Sequence, residues 1–186
     1  MRFISLLLIT FGAIVVNSYK VDPNLEDGVY FIPLLTNTTL LQSSEAAYGE
    51  PILITDTASP PTISKRGRIG KVPFPTDIRK CFKATENTVD RKAAHDMLSE
   101  TCDKGTDIPK FHGIPGILVA RHASSLAFTC SYAHKQGCAP NEIDDAWSQI
   151  SKRCGGDDKG GEVCTNVWEK CYGHTTVTAW ICHNVM

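Results

Sequence analysis

Eight cysteines constrain the fold of this chain more than any other sequence feature. An even number of cysteines in a small chain is typical of a disulfide framework, which stabilises domains that have little room for a core. The stretch from Tyr19 to Ser64 contains none, so we expect four disulfides within one domain that follows it. The cysteines are Cys81, Cys102, Cys130, Cys138, Cys154, Cys164, Cys171 and Cys182.

The pairing of these cysteines is not determined by their spacing. Cys164 and Cys171 are separated by "TNVWEK" and could close a local loop. Cys81 or Cys182, on outer strands, could tie the sheet edges to the helix ends. A zinc site is the rival explanation, but no CxxC, HxxxH or HExxH spacing occurs, so we expect no metal and no cofactor.

The first eighteen residues predict export. Met1-Arg2 precede the apolar run "FISLLLITFGAIVV", which is too short to span a bilayer with any margin and ends in small or polar residues. We expect a signal peptide over residues 1–18, cleaved after Ser18, and a secreted, extracellular protein without stable membrane insertion. A signal anchor is the alternative.

A dibasic pair, Lys65-Arg66, lies in "PPTISKRGRIG" at the border of the cysteine-rich part. Kexin-type proteases cut after Lys-Arg in extended, exposed segments. The preceding Pro60-Pro61 and the following glycines disfavour a helix here. We therefore expect a pro-segment over residues 19–66 and a mature domain over 67–186, with an uncut solvated linker as the alternative.

The sequence "SKR" occurs a second time, over residues 151–153, in a different context. Apolar residues recur there at helical spacing, so we expect this copy to lie in an amphipathic helix and to be protected once folded. The residues of the stripe are Ile143, Ala146, Trp147, Ile150 and Cys154.

The pro-segment contains two strand-like apolar runs, "VYFIPLL" from Val29 to Leu35 and "PILIT" from Pro51 to Thr55. A disordered spacer would not need them. One hypothesis is that they cover an apolar face of the following domain, and the other is that they belong to a discarded tether. Asn37, in the sequon "NTT", is a predicted glycosylation site that would leave with this segment.

Capping signals and apolar periodicity predict two helices in the mature domain. The first runs near Thr88 to Thr101 with Asn87 or Thr88 as its cap, and the second is opened by Pro140-Asn141 and closed by Gly155-Gly156. Strand signals lie around them, in the order β-α-β-β-α-β-β, and the final strand signal is "TTVTAWIC". The segments between adjacent strands are too short for helical crossovers, which favours antiparallel pairing. The sequence therefore predicts an α+β two-layer sandwich, with two helices packed on a mainly antiparallel, disulfide-stapled sheet.

This layout resembles that of fungal kexin-processed cysteine-rich small secreted proteins, including effector-like proteins and the α/β-sandwich killer toxins of smut fungi. The stretches "AFTCSYAHKQGCAPNEIDDAWSQISKRCGG" and "TNVWEKCYGHTTVTAWIC" are similar to members of this group, and the resemblance covers Cys81 to Cys182. It implies a secreted, non-catalytic binding protein, either an effector or a killer-toxin-like antimicrobial. It implies no catalytic residue and no disulfide pattern.

Charge limits the class of partner. From Gly67 onward 15 Lys and Arg residues are interleaved with 14 Asp and Glu residues. Nucleic-acid binding depends on a concentrated basic face, so we expect no nucleic-acid partner, although a local basic patch stays open. The expected partners are a kexin-type protease during maturation and an unknown extracellular or host-cell target.

A hydrolase is the first alternative function. His122, Ser124 and Ser125 in "RHASSLAF" lack a GxSxG elbow, and neighbouring strand residues point to opposite faces, so a hairpin turn is expected there.

A ribonuclease needs Glu, Arg and His side chains that converge, and geometry decides whether they do. Arg121, His122, Glu162 and His174 supply these residue types without a recognisable spacing. A cleft with His122 or His174 beside a carboxylate would favour such an enzyme. A structural cell-surface protein is the second alternative, which a broadly apolar exposed face would favour.

Four residues are candidates for a binding surface, because aromatic side chains on rigid scaffolds often anchor interfaces. Core packing is the alternative for each, since a domain of this size needs large side chains inside. The candidates are Trp168, Tyr172, His174 and Trp180.

Overall fold

The computed structural model describes residues 18–34, 48–54, 69–104, 107–108, 116–132 and 136–183. Most of the predicted signal peptide, the Asn37 sequon and the Lys65-Arg66 pair lie outside the described residues. The strands are β1 (Tyr19–Lys20), β2 (Gly28–Pro33), β3 (Ile52–Leu53), β4 (Ile78–Thr85), β5 (Asp107–Ile108), β6 (Gly116–His122), β7 (Ser125–Ser131), β8 (Gln136–Gly137), β9 (Lys159–Thr165), β10 (Lys170–Thr176) and β11 (Trp180–Ile181), and the helices are α1 (Thr88–Asp103) and α2 (Pro140–Cys154).

The main sheet has seven strands in the order β3-β2-β6-β7-β10-β9-β4. Every neighbouring pair in it is antiparallel. Helix α1 packs on β6 and β7, and α2 packs on β9 and β10. The predicted α+β fold, with two helices on a mainly antiparallel sheet, is therefore confirmed.

Local signals set the ends of both helices. The side chain of Asn87 accepts hydrogen bonds from the backbone amides of Val89 and Asp90, which satisfies donors that a helix start leaves free. Helix α2 ends before Gly155, whose φ of 88° lies in the left-handed region that favours glycine. The predicted bounds are confirmed, and the second "SKR" lies in the last turn of α2.

The strand at the C-terminal end differs from the prediction. Strand β10 covers Lys170–Thr176, whereas the predicted strand began at Thr175 and continued to Cys182. Gly173 weakens the strand signal of this stretch, but a Cβ there would overlap the ring of Phe128 on β7. The glycine is therefore required by a neighbouring strand, which local sequence does not reveal.

The part of the chain before residue 66 belongs to the same sheet as the cysteine-rich part. Strand β2 lies between β3 and β6, and β1 pairs with β11. The two apolar runs predicted to be strand-like overlap β2 and β3, so the prediction is confirmed for these residues. In the uncut chain the Lys-Arg pair does not separate two independent sheets.

Four disulfides connect the elements. Cys164–Cys171 closes the local loop that was expected, and Cys81–Cys154 ties edge strand β4 to the end of α2. The expectation that Cys81 or Cys182 would tie a sheet edge to a helix end is met by Cys81, whereas Cys182 bonds to Cys130 on β7. Cys102–Cys138 joins the end of α1 to the residues that precede α2.

Apolar side chains fill both faces of the sheet. One group lies between the sheet and the helices, and the other lies on the opposite face, where the short β1–β11 pair contributes Ile181. Within the described residues, no helix is both long enough and apolar enough to cross a bilayer. Prominent members of the helix-side group are Phe31, Phe74, Leu98, Leu118, Ile143, Ile150 and Tyr172, and those of the opposite group are Tyr30, Ile32, Ile117, Val119, Leu126 and Phe128.

Candidate functional site

The predicted aromatic surface is only partly exposed. Tyr172 is 0% exposed and His174 is 1% exposed, so the prediction that they belong to a binding surface is wrong. Both lie on β10, which is enclosed between β7 and β9, and sheet order of this kind is not readable from composition. Trp168 is half-buried against Phe74, with ring centroids 5.8 Å apart, whereas Trp180 is 48% exposed.

His174 is paired with a carboxylate inside the fold. Its Nδ1 lies 2.5 Å from Oε2 of Glu86, and the two side chains are 1% and 0% exposed. The Trp147 ring lies against the imidazole, with centroids 4.1 Å apart. A histidine beside a carboxylate was the arrangement expected to favour an enzyme, but this one is not in a cleft and cannot reach a substrate.

A second layer of side chains covers Trp147 from outside. The His95 ring meets it edge-on at 4.6 Å, and the guanidinium of Arg91 lies 5.5 Å from its centroid. His95 also bonds through Nε2 to Asp144 on α2 at 2.9 Å. These contacts join α1 to α2 above the buried His174, so the cluster stabilises the helix layer.

The residues from His122 to Ser125 form the expected hairpin turn between β6 and β7. Ala123 has a φ of 46°, and the Ser124 hydroxyl donates a 2.6 Å hydrogen bond to Asp90 on α1. That bond, together with one from the Ser124 amide, lowers the pKa of Asp90. Ser124 is therefore engaged in fixing the turn to the helix rather than activated as a nucleophile.

His122 also has a carboxylate neighbour, since its Nδ1 lies 3.2 Å from Oδ2 of Asp27. The other oxygen of Asp27 accepts hydrogen bonds from the Arg121 guanidinium at 3.0 Å and from the Ala123 amide at 2.8 Å. Asp27 thus holds the chain before β2 against the hairpin. This cluster lies at the β6–β7 turn, where the His122 and Asp27 side chains are 38% and 43% exposed.

The structure does not bring together the four residues that a ribonuclease would need. Glu162 lies opposite Gly173 in the β9–β10 register, so its side chain is on the face opposite to that of His174. It accepts a hydrogen bond from the backbone amide of His183 at 3.2 Å. Burial, with Glu162 as a further contributor, raises the pKa of the hydroxyls of Tyr48 and Tyr132 on that side.

A cationic depression, defined by Arg79, Lys152 and Arg153, lies where edge strand β4 meets the end of α2. It is open, has a volume of about 600 Å³, and is also lined by Asp77 and Gln149. All three cations are exposed, and none forms an ion pair with another residue that the structure describes. The depression can therefore offer these charges to a ligand.

One disulfide brings these cations together. Arg79 is two residues before Cys81, and Lys152 and Arg153 directly precede Cys154, to which Cys81 is bonded. The charge pattern of the sequence leaves a local basic patch open but does not locate this one, because its halves are far apart in the chain. The signal that could have found it is the expected link between an outer strand and a helix end.

The other exposed or charged groups of the described residues do not form a metal centre. No group of three or more His, Cys, Asp or Glu side chains within those ranges is arranged to hold a metal ion. Comparison with protein-family models, curated proteins and solved structures found no match to this chain.

Proposed function

We propose that this chain is a secreted, non-catalytic binding protein of a fungus, matured by dibasic cleavage, that acts outside the producing cell as an effector or a killer-toxin-like antimicrobial. The observation that carries the proposal is the cationic depression, which presents three cations without described ion-pair partners. Four disulfides favour durability in an oxidising extracellular medium.

The depression fits an anionic group on the surface of the target. Guanidinium groups bind carboxylates in a bidentate manner, and an ammonium group beside them adds a point charge. The whole chain has a formal net charge of -1, so this attraction is local and does not reflect an overall basic protein. Its range is limited to roughly 8 Å at physiological ionic strength, so binding should weaken as salt is added.

Charge-neutralising variants test this surface. The variant Arg79→Gln/Lys152→Gln/Arg153→Gln removes the depression's three cations, and Lys83→Gln/Lys92→Gln/Lys104→Gln removes three exposed cations elsewhere in the expected mature domain. Both variants change the net charge equally. We expect the unaltered protein to bind carboxymethyl-dextran at low salt, uncharged dextran to show no binding, and only the first variant to lose most of the binding.

Two results would contradict the proposal. Equal loss of binding in both variants would show that the dextran responds to the protein's net charge and not to one site. Absence of binding by the unaltered protein would contradict the proposal of an anionic target. Release of soluble nucleotides from RNA by the purified protein would favour the hydrolase alternative instead. Retention of the protein in the cell-wall fraction, without release to the medium, would favour a structural role.

A further inference from the structure

The residues before the dibasic pair supply an inner strand of the main sheet. Strand β2 pairs with β6 along its whole length, from Gly28 opposite Arg121 to Pro33 opposite Gly116. The other edge of β6 is occupied by β7. Without β2, the backbone donors and acceptors along one side of β6 would have no strand partner.

Side chains of β2 are buried on both faces of the sheet. Phe31, 2% exposed, belongs to the apolar group beneath the helices, whereas Ile32, 0% exposed, belongs to the group on the opposite face. Val29 and Tyr30 alternate in the same way. Removal of this strand would therefore open both halves of the core to water.

Further contacts hold the same segment at its start. Tyr19 is opposite Ile181 in the β1–β11 pair, and Val21 is 0% exposed. Asp27 accepts hydrogen bonds from Arg121 and Ala123 at the hairpin turn. The attachment thus extends over most of residues 18–34 and is not limited to one strand.

All of these contacts are non-covalent. The cysteines begin at Cys81, and the four disulfides join only residues from there to Cys182. A chain cut between residues 54 and 69 would consequently leave the N-terminal piece attached without a disulfide, and the described residues hold it by strand pairing, packing and hydrogen bonds at the hairpin turn.

We infer that the N-terminal piece stays bound after such a cut, so that the processed protein is a non-covalent complex of two chains and the edge of β6 remains covered. Strand addition of this kind combines main-chain hydrogen bonds with pockets for alternate side chains, and both are present along β2. The pro-segment is then a subunit of the working protein and not a tether that is shed. The inference does not depend on what the protein binds.

A defined cut tests the inference. Residues Lys65-Arg66 are replaced by the recognition site of a site-specific protease, and the purified, oxidised protein is cut and passed over a size-exclusion column. We expect both pieces to co-elute at micromolar concentration at the mass of one chain, and to separate in denaturant without reductant. The same protein left uncut is the control for elution position.

Elution of the N-terminal piece by itself under native conditions would overturn the inference. Co-elution at twice the mass would show that the piece is exchanged between two copies, and would overturn the attachment within one molecule.

Two variants connect retention to the buried strand. Phe31→Ala removes a core ring of the N-terminal piece, and Ile52→Ala shortens a side chain on β3 that is 44% exposed. We expect the first to weaken retention of the cut piece at least about a hundredfold, and the second to weaken it less than about tenfold. Circular dichroism of the uncut variants checks their folding, and equal retention of both cut variants would contradict the inference.

Discussion

The Nζ of Lys170 lies 2.6 Å from Oε2 of Glu142, and the two side chains are 3% and 7% exposed. The Tyr172 hydroxyl donates to the same oxygen at 2.7 Å, and the Lys71 amide donates to the other oxygen at 3.0 Å. This ion pair is therefore internal, and its members are fully occupied with each other and with nearby polar groups. Its loss should affect stability far more than the loss of a surface pair.

Replacement of Lys170 by methionine should lower the free energy of unfolding by about 3–5 kcal/mol, because the Glu142 carboxylate would stay buried without its cation. Lys92→Met is the control, since Lys92 forms an exposed pair with Asp96 and should cost less than about 1 kcal/mol. Urea unfolding with the disulfides intact measures both. Similar losses in the free energy of unfolding for the two variants would show that burial does not determine how much an ion pair contributes to stability.

Two disulfides of equal burial should differ in their contribution to stability. Cys102–Cys138 spans 36 residues and Cys164–Cys171 spans 7, and all four cysteines are 0% exposed. Chain-entropy theory predicts that a double Cys→Ala change at the longer loop costs about 1.5 kcal/mol more. Denaturant unfolding of the two double variants gives the difference, and a larger cost at the shorter loop would contradict this account.

The lowered pKa of Asp90 predicts a pH-dependent contribution to stability. The Ser124 hydroxyl and amide favour the charged carboxylate, so Ser124→Ala should raise this pKa toward its ordinary value. The stability that the folded protein gains from the hydrogen bond of the Ser124 hydroxyl is fully present above the pKa of Asp90 in the unfolded chain, about 3.9. It is lost as the pH falls through the lowered pKa of the folded protein. Carbon NMR titration of Asp90 measures the change, and Ser148→Ala, an exposed position on α2, should leave it unaffected.

The cap of α1 can be tested by substitution at Asn87. Its side chain accepts hydrogen bonds from the backbone amides of Val89 and Asp90 at 2.9 and 3.2 Å. Asn87→Ala should therefore lower the free energy of unfolding by about 1 kcal/mol. Asn87→Ser retains an acceptor and should lie within a few tenths of a kcal/mol of the unaltered protein. Thermal or urea unfolding distinguishes them, and an equal loss for both substitutions would show that the cap bond is unimportant.

Local signals made much of the fold predictable. Asn87, Pro140 and Gly155 mark helix ends through interactions within a few residues, and the helix bounds followed from them. Strand order depends instead on distant partners. Sequence therefore left Tyr172 and His174 as candidates for either a surface or the core, and the central position of β10 places them in the core.

The candidate site could not be located from sequence for the same reason. Arg79 and Lys152 become neighbours only through the packing of β4 beside α2 and the Cys81–Cys154 bond. The N-terminal runs were recognised as strand-like, but nothing in their own residues indicated that β2 joins β6. That pairing depends on a complementary edge far along the chain.

The position of β2 also has a consequence for the order of synthesis. Asp27 and Arg121, whose hydrogen bond holds the start of β2 to the β6–β7 hairpin, are 94 residues apart, so β2 leaves the ribosome long before β6 exists. During that interval its apolar residues have no sheet to join. We therefore expect β2 to join the sheet late, and a chaperone that shields it meanwhile should raise the yield of folded protein.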